Sequence, residues 1–130
     1  MKNVVIFGAG QSAPYLIHYM LESAEKYDWQ VTVCDMDYEL AKARVNGNSR
    51  GEAIQLNIND SYLRRKLISK ADIVLNMLAP VFQYMVALDC LEHKTHCISA
   101  SYTNPQIPDL HQDALINDVL IMINGYSPAK

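Results

Sequence analysis

Val4-Val5-Ile6-Phe7-Gly8-Ala9-Gly10-Gln11-Ser12-Ala13 stands near the start of the chain and decides its fold class. Four apolar residues run straight into a glycine turn. Leu16, Ile17, Met20, Leu21 and Ala24 then recur at helical spacing and give the next segment one face to bury. The pattern Gly-x-Gly-x-x-Gly/Ala is common, but between a strand and a helix it predicts a dinucleotide-binding turn. Gly8 permits the tight turn out of the strand, and Gly10 leaves the backbone bare where a pyrophosphate must approach it. Ala13 at the third position keeps helix and strand one methyl apart. Gln11 and Ser12 complete the turn, whose N–H groups face the phosphates with the helix dipole behind them. Pro14 suits the first helical turn, where an N–H has no partner to lose.

Val31-Thr32-Val33-Cys34 reads as the second strand, and Asp35 ends it. A carboxylate there accepts hydrogen bonds from the adenosine ribose and repels a 2′-phosphate, and Met36 beside it offers no cation. The pair predicts NAD in preference to NADP. Capping the following helix is the other role open to Asp35, although Asp37 is better placed for it. Asp60 is divided in the same way between capping the helix from Ser61 and reaching the adenine amino group.

Strand-like and helix-like segments alternate along the whole chain. Strands are expected at Asn3–Phe7, Val31–Cys34, Ala53–Asn57, Asp72–Met77, His96–Ser99 and Val119–Ile123. Helices are expected at Ser12–Lys26, Tyr38–Asn46, Ser61–Ser69, Pro80–His93 and Asn104–Asn117. Such alternation predicts a doubly wound parallel α/β sheet, Rossmann-like, of six strands in the order 3-2-1-4-5-6. Ligands in that architecture lie across the carboxyl ends of the strands. Gly8–Ala13, Asp35-Met36-Asp37, Asn57–Asp60, Leu78-Ala79-Pro80, Ala100-Ser101-Tyr102 and Asn124-Gly125 should therefore converge on one crevice. Asn59, Leu78, Ala79 and Pro80 join the glycine turn, Asp35, Met36 and Asp60 as candidate cofactor contacts.

The 130 residues suit a single domain, 1–130, with half of them hydrophobic and a formal charge of −3. The one tight basic cluster, Arg64-Arg65-Lys66, reads as the solvated face of a helix, so no nucleic-acid partner is expected. Cys34, Cys90 and Cys97 lack Cys-x-x-Cys spacing and read as buried free thiols. His93 and His96 straddle a change from helix to strand, and no metal site is expected. With no secretory leader and no apolar run long enough for a bilayer, a cytoplasmic protein without a membrane partner is expected.

Together these segments resemble the N-terminal nucleotide-binding domain of the saccharopine dehydrogenase-like oxidoreductases. The similarity runs through Val4–Gly10, Val31–Asp35, Ala53–Asp60 and Ala71–Pro80. It is most discriminating in Leu78-Ala79-Pro80 and in Lys94–Tyr102, a fifth strand ending in Ser-Tyr. The resemblance implies an enzyme part that moves hydride between nicotinamide and the secondary amine of amino-acid-like substrates. Nicotinamide would lie near Ala79-Pro80 and Ser101-Tyr102. Ser101 and Tyr102 either touch the substrate or the nicotinamide ribose, or end the strand and cap the next helix, so no catalytic residue is named.

The family continues beyond the sixth strand into a substrate-closing domain, whereas this sequence ends Asn124-Gly125-Tyr126-Ser127-Pro128-Ala129-Lys130. The expectation is a cofactor-binding domain that is not catalytic alone and docks a second domain or chain, with a homo-oligomer also allowed. The alternatives are a stand-alone NAD-binding regulatory module, like those that gate potassium transporters, and a remnant that keeps the fold without the ligand.

Overall fold

The computed structural model describes residues 1–10 and 13–99 in full and the backbone of 121–123. Among them the chain runs β1 (Lys2–Phe7), α1 (Pro14–Tyr27), β2 (Trp29–Asp35), α2 (Tyr38–Val45), β3 (Gly51–Gln55), α3 (Ser61–Lys70), β4 (Ile73–Asn76), α4 (Gln83–Glu92), β5 (His96–Ser99) and β6 (Ile121–Ile123). The sheet is parallel throughout. Its main body is β3-β2-β1-β4-β5, and the three residues of β6 pair with Cys97–Ser99 at the outer side of β5. The first strand is central, with β2 on one side and β4 on the other, which creates the switch point the alternation predicted. Of the expected strand Val119–Ile123, only 121–123 are described, and the expected helix Asn104–Asn117 lies outside the described residues.

Alternation along the strands splits the core in two. Val4, Ile6, Val31, Val33 and Leu75 point to the face covered by Ile17, Leu21 and Ala24 of α1 and Ala41 and Val45 of α2. Val5, Phe7, Cys34 and Val74 point the other way, against Ile68 of α3 and Val86, Ala87 and Cys90 of α4. A strand buried on both faces reads as an unbroken apolar run, and Val4-Val5-Ile6-Phe7 is one. These four residues are at most 4% exposed.

Most boundaries fall within two residues of expectation, and two of the differences have physical reasons. The third strand is Gly51–Gln55 rather than Ala53–Asn57. Leu56 and Ile58 extend the apolar pattern because they turn inward to line a cavity, not because the ladder continues. The segment expected as one helix from Pro80 begins as a 3-10 turn, Pro80–Phe82, before α4 starts at Gln83. A third correction concerns Arg64. It is not on a solvated face: it is 5% exposed, and its Nε donates to the buried carboxylate of Asp89 on α4. Arg65 and Lys66 are exposed, as expected of the cluster's outer face, and Arg65 also reaches Asp89 at 3.3 Å.

Candidate functional site: the carboxyl edge of the sheet

The turn from β1 to α1 is built around Gly8, whose φ of +101° is a conformation that side chains resist. Space enforces the same choice, since a Cβ there would stand 3.2 Å from Leu78 Cδ2 and from the Met77 carbonyl carbon. Gly8 N–H donates to the Cys34 carbonyl at 2.8 Å, so the turn grows directly from the β1–β2 ladder. Gly10 is different: a Cβ there would meet no atom within 4 Å. Glycine at position 10 keeps room open above the backbone, which fits an approaching pyrophosphate.

Ala13 follows at 1% exposure, packed into the core on the α1 side of the sheet, with its N–H on the Gly10 carbonyl at 3.1 Å. Pro14 opens α1, and among the described residues no side chain caps it. The first-turn N–H groups and the positive end of a 14-residue helix are thereby left for an anion. Gln11 and Ser12, expected in this turn, lie outside the described residues.

Asp35 holds the turn. One carboxylate oxygen accepts the Ala9 N–H at 2.8 Å, the other accepts the Asp37 N–H at 2.8 Å, and its backbone carbonyl accepts the Leu56 N–H at 2.9 Å. Arg44, which no sequence signal singled out, reaches back from α2 and donates from Nε to the Ala9 carbonyl at 3.1 Å. Helix capping falls to Asp37, whose Oδ1 accepts the Leu40 N–H at 3.2 Å. Asp60 likewise caps α3, its Oδ1 accepting the Leu63 N–H at 3.1 Å.

Beside the turn lies a cavity of about 170 Å³. Phe7, Cys34, Leu56, Leu78 and Phe82 supply apolar surface, while Asp35, Asn57 and Asn59 bring polar atoms to it. The shape and chemistry suit a flat aromatic base with a polar edge. Burial pushes the Cys34 thiol up to about 12, helped by the Glu52 and Asp35 carboxylates, so it stays protonated and acts as wall rather than nucleophile. Of the expected contacts, the cavity gathers Asp35, Met36, Asn59 and Leu78, and Gly8 packs against Leu78. Asp60, Ala79 and Pro80 are not among its lining; Ala79 and Pro80 are exposed farther along the same edge. Phe7, Cys34, Leu56, Ile58 and Phe82 were hidden in the sequence because they look like ordinary core residues.

At the end of β4, Asn76 is fully buried beside Ser99 of β5 and accepts the Leu78 N–H at 3.0 Å, which bends the chain into Leu78-Ala79-Pro80. Ser101 and Tyr102, the expected substrate-side pair, lie outside the described residues.

A family model described as the saccharopine dehydrogenase NADP binding domain matches residues 4–122. An alpha-aminoadipic semialdehyde synthase of Arabidopsis thaliana is 33% identical over 108 residues, 83% of this chain and 10% of that protein. A saccharopine dehydrogenase [NADP(+), L-glutamate-forming] of Schizosaccharomyces pombe is 25% identical over 115 residues, 88% of this chain and 25% of that protein. The solved apo saccharopine dehydrogenase (L-Glu forming) of Saccharomyces cerevisiae superposes with a TM-score of 0.85 at 23% identity, over 96% of this chain and 27% of that one. The chain thus spans about a quarter or less of the length of these relatives.

These matches overturn the expected preference for NAD: the matching domain is an NADP binding domain, and the fungal relatives carry NADP(+) in their names. The structure supplies the physical reason that Asp35 misled. Met36, next to it in sequence, offers no cation, whereas the guanidinium of Arg44 reaches back from α2 to Ala9, beside the carboxylate that braces the same turn.

Proposed function

The chain belongs to the saccharopine dehydrogenase NADP-binding domain family, and from that premise we propose that it holds NADP(H) across the carboxyl edge of its sheet. The pyrophosphate sits on Gly8–Ala13 and the N-terminus of α1, and the adenine enters the 170 Å³ cavity beside Asp35. The observation that carries this is the pairing of an uncapped helix, behind a glycine turn with room above Gly10, and an apolar cavity on the same edge. Nicotinamide then extends toward Ala79-Pro80 and the segment after β5. In the protein as a whole, the reaction is hydride transfer to or from the secondary amine of an amino-acid-like substrate. Groups that bind such a substrate and exclude water lie beyond the edge described here, on a further domain or chain. The doubly wound sheet with β6 as a full sixth strand and a cytoplasmic setting, which three buried free cysteines support, belong to the same proposal.

Calorimetry and thermal melts with NADPH test it. A ligand at a hundredfold excess over its dissociation constant stabilises the native state by about 2.7 kcal/mol, so the midpoint should rise by several degrees. Gly10→Val should abolish the rise while the protein stays folded. Absence of both heat and shift with the unmodified chain overturns the proposal. Steady NADPH oxidation by the 130-residue chain alone, with glutamate and alpha-aminoadipic semialdehyde, overturns the assignment of catalysis to a further domain.

A further inference from the structure

Two segments flank the cavity beside the glycine turn, above a floor of Phe7 and Cys34. One is the β3–α3 loop, Leu56 to Asn59; the other is Leu78 and Phe82, which lead into α4. The loop is shaped locally by Asn57, whose Oδ1 accepts the Asn59 N–H at 3.0 Å and whose carbonyl accepts the Asp60 N–H at 2.8 Å. Behind it stands Arg64 of α3. Its guanidinium donates from one end to the Ile58 carbonyl at 2.6 Å and from Nε to Asp89 Oδ2 at 2.5 Å. Asp89 is 2% exposed on α4, the helix into which the opposite wall leads, and Arg65 occupies its other oxygen. One planar side chain therefore ties the loop that lines one side of the cavity to the helix that follows the other wall.

A buried ion pair is a poor way to add stability, because desolvating two charges offsets most of their attraction and apolar residues of similar volume do as well. What an arginine fork adds is fixed geometry, with donors set in one plane at set spacings. Here those donors grip a backbone carbonyl of one wall and an anchored carboxylate on the helix that follows the other.

We propose that the buried Arg64–Asp89 pair is a positioning device that fixes the separation of the Leu56–Asn59 and Leu78–Phe82 walls and so sets the size of base the cavity accepts. The inference rests on the assignment of the adenine to this cavity. Arg64 does not touch the ligand; it acts through Ile58, and Asp89 acts through Arg64.

The test compares the affinity for NADPH with that for its 1,N6-etheno derivative, which carries an extra ring on the adenine. The unmodified chain should bind NADPH at least tenfold more tightly. Arg64→Lys keeps the charge but loses the fork, and Asp89→Asn keeps the shape but loses the charge; either should shrink that ratio to within about threefold. A role confined to stability would lower the melting temperature, or weaken both ligands equally, and leave the ratio unchanged, which overturns the inference. Equal affinities for the two ligands in the unmodified chain overturn it as well. If neither ligand binds at all, the dinucleotide assignment itself fails, a separate result. Should both variants fail to fold, NMR of the unmodified chain decides: the Arg64 Nε–H resonance should shift on adding adenosine 2′,5′-bisphosphate, and an unmoved resonance in a chain that binds it counts against the proposal.

Discussion

The β1–α1 turn and the β3–α3 loop meet at the same edge of the sheet and are built on opposite principles. In the first, Asp35 and Arg44 fasten the backbone from outside at Ala9, while the start of α1 is left without a side-chain cap. In the second, Asn57 and Asp60 turn the backbone polar groups inward, and Arg64 closes the Ile58 carbonyl from behind. The difference matches the proposed binding mode. An anion is bound by donors held in place and otherwise unoccupied, whereas a flat base needs a wall of fixed shape, with its backbone polar groups paired and a few side-chain polar atoms left at the edge.

Substitutions can break this contrast at either pole. The largest effect is expected from Asp89→Ala, which strands the buried Arg64 guanidinium; unfolding by denaturant should show a loss of about 3–5 kcal/mol. Gly8→Ala comes next. It forces a side chain into φ +101° against Leu78 and Met77, at a cost of about 1–3 kcal/mol in the same measurement, and NADPH binding should vanish with the turn. Asp60→Ala removes only the cap of α3, so about 1 kcal/mol should be lost while NADPH affinity falls little. Gly10→Ala sharpens the contrast most cleanly: stability should stay within about 0.5 kcal/mol, because surrounding space is open, yet calorimetry should show NADPH binding weakened at least tenfold. A Gly10→Ala protein that binds NADPH normally removes the pyrophosphate from this turn.

Cys34 gives a pH signature of the wall itself. Its folded-state value is raised to about 12 from 9.0, so the protonated thiol is favoured in the native state. That contribution is intact below about pH 9 and is lost progressively as pH rises toward 12, because only the unfolded chain releases the proton there. Melting temperature should therefore fall in that window, and Cys34→Ala should flatten the fall.

The sheet was legible because its signals are local. The Val4–Phe7 run, the glycine spacing and the helical recurrence of Leu16, Ile17, Met20 and Leu21 each declare one element, and parallel crossovers leave few ways to join them. The glycine-turn half of the candidate site was legible for the same reason. Its other half was not, since Leu56, Ile58 and Phe82 satisfy a core pattern whether or not a cavity lies beyond them. Arg64 was misread because a basic triplet on a helix looks solvated unless Asp89, 25 residues away, is known to face it. The cofactor preference failed on Asp35, whose residue type is visible in the sequence, whereas the reach of Arg44 to the turn beside it is not.

The central place of β1 has a consequence during synthesis. The strand pairs with β2 on one edge, but its other edge waits for β4, Ile73–Asn76. At roughly 5–20 residues per second, seconds pass after the second strand leaves the ribosome before the fourth can follow. Throughout that interval a strongly apolar strand presents an unpaired backbone edge, the arrangement most prone to stick to another nascent chain. The strand that organises the finished sheet is thus the one a chaperone has most reason to shield.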